Sequence, residues 1–156
     1  VSARLAALRA LTLRRLTEAQ LWRRLERRGY DEEAVRDAIA TCKRLGYLDD
    51  RLFAQLYIDG RRKPVGDVRL VADLVRRGIA REAAVASVAK AERDQDARLA
   101  AAIERIYQRR PTVAYPNVAR ALERLGFPAP AIYRHLRARA ALEFSETGED
   151  SLVAHA

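Results

Sequence analysis

Few residues of this 156-residue chain could make or break a covalent bond. His135 and His155 are its only histidines and Cys42 its only cysteine. His135 lies in helical sequence among arginines, and His155 lies in the terminal stretch. The patterns HExxH, GxxxxGK[ST] and GxSxG are missing, as is any Cys/His cluster, so no catalytic residue and no cofactor is expected. The adjacent carboxylates of Asp49 and Asp50 could hold a divalent ion. Two acids at a helix start read more simply as caps, accepting hydrogen bonds from the free N–H groups and complementing the helix dipole, so no metal site is expected. Cys42 has no partner for a disulfide or a metal site. Beside Ile39 and Leu45 it reads as a buried or half-buried free thiol, which suits a reducing cytoplasm.

The chemistry this sequence does offer is ion pairing. Lys and Arg number 30 against 21 Asp and Glu, for a net charge of +9, and the pI is near 10.4. That balance favours an anionic partner: nucleic acid, an acidic protein surface or anionic lipid. Only Lys43, Lys63 and Lys90 are lysines. Guanidinium groups grip phosphates and carboxylates bidentately, although a genomic bias that also enriches alanine accounts for the same count. The candidate partner-binding set is Arg23, Arg27, Arg28, Arg61, Arg62, Lys63, Arg69, Arg76, Arg77, Arg120 and Arg124. Arg27-Arg28 and Arg76-Arg77 each stand immediately before a glycine, a repetition that suits a partner with regularly spaced negative charge. Base-reading residues such as Asn, Gln, Ser and Thr are sparse on the polar faces, and aromatics are few. Contact with a phosphate backbone or an acidic surface is therefore expected, rather than base readout or stacking.

These side chains must be positioned by helices. Ala, Leu, Arg and Glu dominate, and no stretch alternates long enough for a strand. The breaks recur: Gly29, Gly78 and Gly126 are 49 and 48 residues apart. Four residues before each stands Leu25, Leu74 or Leu122, and eight before stands Leu21, Leu70 or Val118. One after is Tyr30, Ile79 or Phe127; six after, Val35, Ala84 or Ile132; ten after, Ile39, Val88 or Leu136. Each unit thus reads as a helix with one apolar stripe, a glycine exit, an apolar residue and a second striped helix. A further helix precedes each pair, over Ala3 to Leu13, Asp50 to Arg62 and Asp96 to Arg109. Their expected apolar faces are Leu5, Leu8 and Leu11; Phe53, Leu56 and Tyr57; and Leu99, Ile103, Ile106 and Tyr107. The expectation is an all-α protein of nine helices in three tandem three-helix repeats, 1–47, 48–93 and 94–142, elongated and curved. An acidic segment, 143–156, follows and is expected to be disordered, the alternative being that it folds back on a basic groove as a weak intramolecular competitor. Net charge over these four segments is +5, +3, +5 and −4. Thr17 and Asp31 are the expected caps of the second and third helices.

The joint between the first two units falls in Gly46-Tyr47-Leu48-Asp49-Asp50-Arg51-Leu52-Phe53-Ala54. Gly46 suits a helix exit, Tyr47 and Leu48 are apolar enough to fold onto the core, Asp49 or Asp50 caps the next helix, and Phe53 opens its apolar face. This passage, with Thr17-Glu18-Ala19-Gln20-Leu21 through Gly29-Tyr30, and with Gly66, Arg69, Leu70, Leu74, Arg77, Gly78 and Ile79, resembles the RecX family of bacterial regulatory proteins over about residues 3 to 140. Gly60, Pro64, Val65 and the acidic segment depart from the family's pattern, and Gly60 puts the last turn of its helix in question.

The resemblance implies a non-enzymatic protein that binds the RecA recombinase filament on DNA, lies in its groove, and restrains strand exchange and the coupled ATP hydrolysis. DNA, single- or double-stranded, would be contacted as well. A stand-alone protein binding DNA through its phosphate backbone stays open beside this reading, as does a helical scaffold for another acidic protein. No apolar run approaches the roughly 20 residues of a membrane span, and the start lacks a secretory pattern. A cytoplasmic monomer is expected. A chain that opens on Val1 and holds no methionine is expected to be part of a longer protein.

Overall fold

The computed structural model describes residues 1–61, 63–91 and 94–153, except the side chains of 149–153. Among the described residues it holds nine α-helices and no strand: α1 Ala3–Leu13, α2 Glu18–Arg27, α3 Glu32–Arg44, α4 Asp50–Asp59, α5 Asp67–Arg76, α6 Arg81–Lys90, α7 Gln95–Arg109, α8 Tyr115–Arg124 and α9 Ala129–Val153. The chain divides into two compact units. One comprises Val1–Arg61 with Leu70–Glu92, the other Arg62–Arg69 with Arg93–Ala156.

The repeated glycines end helices for a definable reason. Gly29, Gly78 and Gly126 have φ of +90°, +96° and +90°, the left-handed conformation of a helix exit. The residue after each glycine donates its N–H back to the leucine of the preceding helix: Tyr30 to Leu25 at 3.4 Å, Ile79 to Leu74 at 3.1 Å, and Phe127 to Leu122 at 3.2 Å. This bond carries an apolar contact between the same two residues, which is why both columns are apolar in sequence. Leu21, Leu25, Leu70, Leu74, Val118 and Leu122 are all buried, as are Val35, Ile39, Ala84, Val88, Ile132 and Leu136. The caps fall where expected. Thr17 forms a reciprocal capping box with Gln20, Asp31 accepts from Ala34 N–H, and Asp49 accepts from Arg51 and Leu52 N–H.

In the first unit, α1 packs on α3 and both pack on α2. The buried face of α1 differs from the leucine stripe expected. Ala3, Ala6, Ala7 and Ala10 are buried, Leu8 and Leu11 only partly, and Leu5 is exposed. Alanine lets two helix axes approach closely, so the small residues take the contact and the leucines border it. Helix α4 stops at Asp59, with Gly60 at its C-cap, short of the expected Arg62. It buries Ala54 and Ile58, leaving Phe53, Leu56 and Tyr57 half-buried. In the second unit, Leu99, Ala102 and Ile103 of α7 meet Val118, Ala119 and Leu122 of α8, and Ala131, Ile132 and Leu136 of α9. Where disorder was expected from Glu143, α9 continues to Val153. Ala140, Ala141 and Leu142 favour the helix, Arg139 pairs with Glu143 one turn on, and Ser145 and Thr147 hydroxyls donate to the Ala141 and Glu143 carbonyls.

The Gly46–Phe53 joint is architectural. Gly46 has φ +81°, and Tyr47 N–H donates to the Cys42 carbonyl at 2.9 Å. Leu48 turns into the core, but the Tyr47 side chain is exposed, against expectation. Tyr47 is bonded back through its N–H, and it is Leu48 that is buried. Asp50 accepts a hydrogen bond from Glu18 N–H at 2.8 Å, so the start of α4 holds the start of α2. Burial pushes the Asp50 carboxyl up, and that outweighs the opposing pull of this backbone bond.

Candidate functional site

The basic residues singled out from sequence divide into two groups. Arg61, Arg69, Arg76 and Arg77 are engaged within their own units. Asp73 on α5 is buried and anchors a cluster with Tyr57 of α4. Tyr57 Oη donates to Asp73 Oδ2 at 3.1 Å, Arg76 Nη2 reaches Asp73 Oδ1 at 3.2 Å, and Arg61 Nη2 lies 3.7 Å from Oδ2. Arg77 donates to the Asp73 carbonyl at 2.9 Å, and its guanidinium lies 4.3 Å from the Tyr57 ring centre. Burial first, and then the bond to Asp73, push the Tyr57 hydroxyl up. One acidic residue gathering three cations is a structural node, and a partner reaching Arg61 or Arg77 would have to break it. Arg69 donates to the Arg124 carbonyl at 3.2 Å. Beside it Gly66 N–H donates to the Leu125 carbonyl at 2.8 Å, and Asp67 pairs with the largely buried Arg98 at 2.7 Å. Arg69 is thus part of the seat of the Val65–Arg69 strap.

The second group is free for a partner. Arg23, Arg27 and Arg28 are exposed on or just after α2 and, among the described residues, form no ion pair. Buried Leu21 and Leu25 fix α2 in the core, so Arg23 and Arg27 on its opposite face and Arg28 at its C-cap stand at the surface without being neutralised. Lys63 is exposed; Arg62 lies outside the described residues, as does His155. The pairs Arg27-Arg28 and Arg76-Arg77, alike in sequence, therefore differ: the first is open and the second is tied to Asp73.

Arg120 and Arg124 are exposed, one turn apart on α8. They line one wall of a cleft of about 480 Å³ whose other wall carries Arg109 and Arg110 from the end of α7. Ile106, Val113, Ala121 and Asn117 also line it. Sequence reading missed Arg109 and Arg110. The signal was there, two arginines at the end of a helix, but it matched ordinary dipole complementation. A second cleft of about 600 Å³, between α4 and α6, mixes Asp50 and Asp59 with Arg51 and Lys90, and offers an anion no net attraction.

His135 contacts Asp96 at 3.1 Å, and Arg134 shares the same oxygen. The His135 bond, and then Arg134, hold the Asp96 carboxyl below its usual range. Among the described residues no three His, Cys, Asp or Glu side chains gather as a metal site, and no helix is long and apolar enough to cross a membrane.

Comparison with known proteins bears on these helices directly. The family model for the first three-helix domain of RecX matches residues 3–42. Regulatory protein RecX of Deinococcus radiodurans is 32% identical over 136 residues, 84% of this chain and 65% of that protein. Those of Pelodictyon phaeoclathratiforme and Mycobacterium leprae are 38% and 39% identical over 76 and 79 residues, 47% and 49% of this chain. The matched stretches span about half the length of those two relatives, at 48% and 46%. The crystal structure of RecX from Lactobacillus salivarius superposes with a TM-score of 0.75 at 18% identity, over 87% of this chain and 93% of that one. A second RecX crystal structure gives 0.76 at 17% identity, over 87% and 70%. At those identities the likeness is one of fold. Three helix pairs that turn at Gly29, Gly78 and Gly126, a first domain matched over α1 to α3, and a curated relative aligned along 84% of the sequence lead to one conclusion: the chain belongs to the RecX family of regulatory proteins.

Proposed function

We propose that this protein is a non-enzymatic, cytoplasmic inhibitor of the RecA recombinase. It binds in the groove of the RecA–DNA filament and restrains strand exchange and the coupled ATP hydrolysis. Its exposed arginines pair with RecA carboxylates or DNA phosphates. The observation that carries this reading is the set Arg23, Arg27 and Arg28: three exposed guanidinium groups without ion-pair partners among the described residues, on or just after a helix that buries Leu21 and Leu25 in the core. Such fixed cations meet a polyanion without first breaking internal pairs, and many modest contacts add through effective concentration.

The test is RecA-dependent ATP hydrolysis on single-stranded DNA, with wild type and the triple variant Arg23→Glu/Arg27→Glu/Arg28→Glu. The variant should keep its helical circular dichroism and lose inhibition; full inhibition by it would remove these residues from the interface. Arg76 and Arg77, which sequence alone nominates for the same experiment, are poorer choices because reversing them breaks the Asp73 node. The alternative of a stand-alone protein binding the DNA backbone predicts tight, strongly salt-dependent gel shifts without RecA, and no effect on preformed filaments.

A further inference from the structure

The cleft of the second unit gathers Arg109 and Arg110 from the end of α7 and Arg120 and Arg124 from α8. All four are exposed, and among the described residues none is ion-paired. Glu104 of α7 and Glu143 of α9 are both taken by Arg139. Four like charges held close repel one another, so an entering anion relieves that repulsion as well as pairing with the guanidinium groups.

The rest of the lining narrows the choice of anion. Ile106, Val113 and Ala121 offer apolar surface, and Asn117 offers an exposed amide. A bare phosphate would use the arginines and leave the apolar side chains uncovered. A ligand with an anionic end and a flat ring with a hydrogen-bonding edge uses both. At about 480 Å³ the cleft is of small-ligand size, within the roughly 300–1,000 Å³ of such sites. A nucleic-acid strand would need a row of cations that follows its backbone. On α8 the row is only two residues long: one turn before Arg120 stands Pro116, and one turn after Arg124 stands Pro128.

We propose that this cleft binds a nucleoside polyphosphate, with adenine the base it suits best. The phosphates pair with Arg109, Arg110, Arg120 and Arg124, whose guanidinium forks match phosphate oxygens two at a time. The base lies against Ile106, Val113 and Ala121. The Asn117 amide carries both a donor and an acceptor, which match the N7 and N6 edge of adenine. A terminal phosphate alone carries a charge of about −1.5 to −2, so a triphosphate neutralises most of the cleft. The site lies beyond the proposed inhibition and uses none of Arg23, Arg27 and Arg28.

Calorimetric titration of the full chain with ATP tests this without RecA or DNA, so its outcome is independent of that inhibition. At low salt one ATP should bind per chain, and most of the affinity should be lost at about 1 M salt, where the screening length is about 3 Å. Adenosine should not bind measurably, and tripolyphosphate should bind more weakly than ATP. Asn117→Ala should weaken ATP about tenfold and leave tripolyphosphate unchanged. Arg120→Glu/Arg124→Glu should weaken ATP at least about a hundredfold, and Arg109→Ala/Arg110→Ala at least about tenfold. These side chains are all exposed, so the variants should keep the circular dichroism of wild type. The α2 variant Arg23→Glu/Arg27→Glu/Arg28→Glu, which loses more charge, should still bind ATP. Absence of saturable ATP binding at low salt overturns the proposal, as does an α2 variant that loses ATP as fully as the cleft variants do, which would reduce the effect to net charge. Tripolyphosphate bound as tightly as ATP would remove the base from the cleft. An oligothymidylate that displaces ATP at a lower concentration than ATP itself needs would reassign the cleft to a nucleic-acid strand.

Discussion

Replacing Gly78 by alanine should cost far more than the same change at Gly29, although the two glycines align in sequence and share a backbone conformation. At Gly29 (φ +90°) an added methyl group would meet nothing within 4 Å. Its cost is the left-handed conformation, about 1–2 kcal/mol, less about 0.4–1 kcal/mol regained through a stiffer unfolded chain. At Gly78 (φ +96°) the added Cβ would stand 2.4 Å from Ala19 Cβ at the start of α2. Overpacking of that kind adds about 1–3 kcal/mol. The net expectation is about 1 kcal/mol for Gly29→Ala and about 2–4 kcal/mol for Gly78→Ala. With a urea dependence of about 2 kcal/mol per molar, the midpoints should fall by about 0.5 M and about 1–2 M. Trp22 fluorescence is the appropriate probe, because Trp22 packs on the core of the unit that holds both glycines. Adding Ala19→Gly to Gly78→Ala should restore the packing part, after allowing for about 1 kcal/mol of lost helix propensity. Equal midpoint shifts for the two glycines, or no coupling to Ala19, would refute the close approach.

Asp73→Ala should destabilise by about 2–3 kcal/mol, because it leaves Arg61 and the Tyr57 hydroxyl in a half-buried corner without their carboxylate. Arg76→Ala, at the exposed side of the same node, should cost no more than about 1 kcal/mol; urea unfolding by circular dichroism reads both. At Asp50, Ala should cost about 1–2 kcal/mol by orphaning Glu18 N–H, whereas Asn keeps the acceptor. Since burial raises the folded Asp50 carboxyl above its unfolded value, protonation favours the fold. Its contribution is present at low pH and lost as pH rises through the raised value, so Asp50→Asn should gain on wild type over that window. Cys42 is buried, and burial pushes its thiol up. Ellman's reagent should therefore titrate it only at the rate of unfolding, and fast reaction in buffer would contradict the packing of α3.

What the sequence by itself determined is the succession of helices and their ends. The signals involved act within four or five residues: a cap such as Thr17 or Asp49, a leucine stripe, and a glycine whose follower bonds back to the residue five before it. These local bonds decide a helix terminus wherever the helix is later packed, so the columns around Gly29, Gly78 and Gly126 were legible. The alanine face of α1 was not, because small residues win a contact only when a specific neighbour, here α3, comes close. The continuation of α9 past Glu143 was missed because polarity was weighed above helix propensity. Most of all, the fate of each arginine was decided by tertiary structure. Arg27-Arg28 and Arg76-Arg77 are the same words in sequence, but Asp73 and Tyr57 meet only when α4 packs near α5, and that meeting claims the second pair. Likewise Arg109 and Arg110 face Arg120 and Arg124 only because α8 folds back along α7. A charge's availability depends on what stands within a few ångströms of it, and that is a property of the fold, not of its neighbours in sequence.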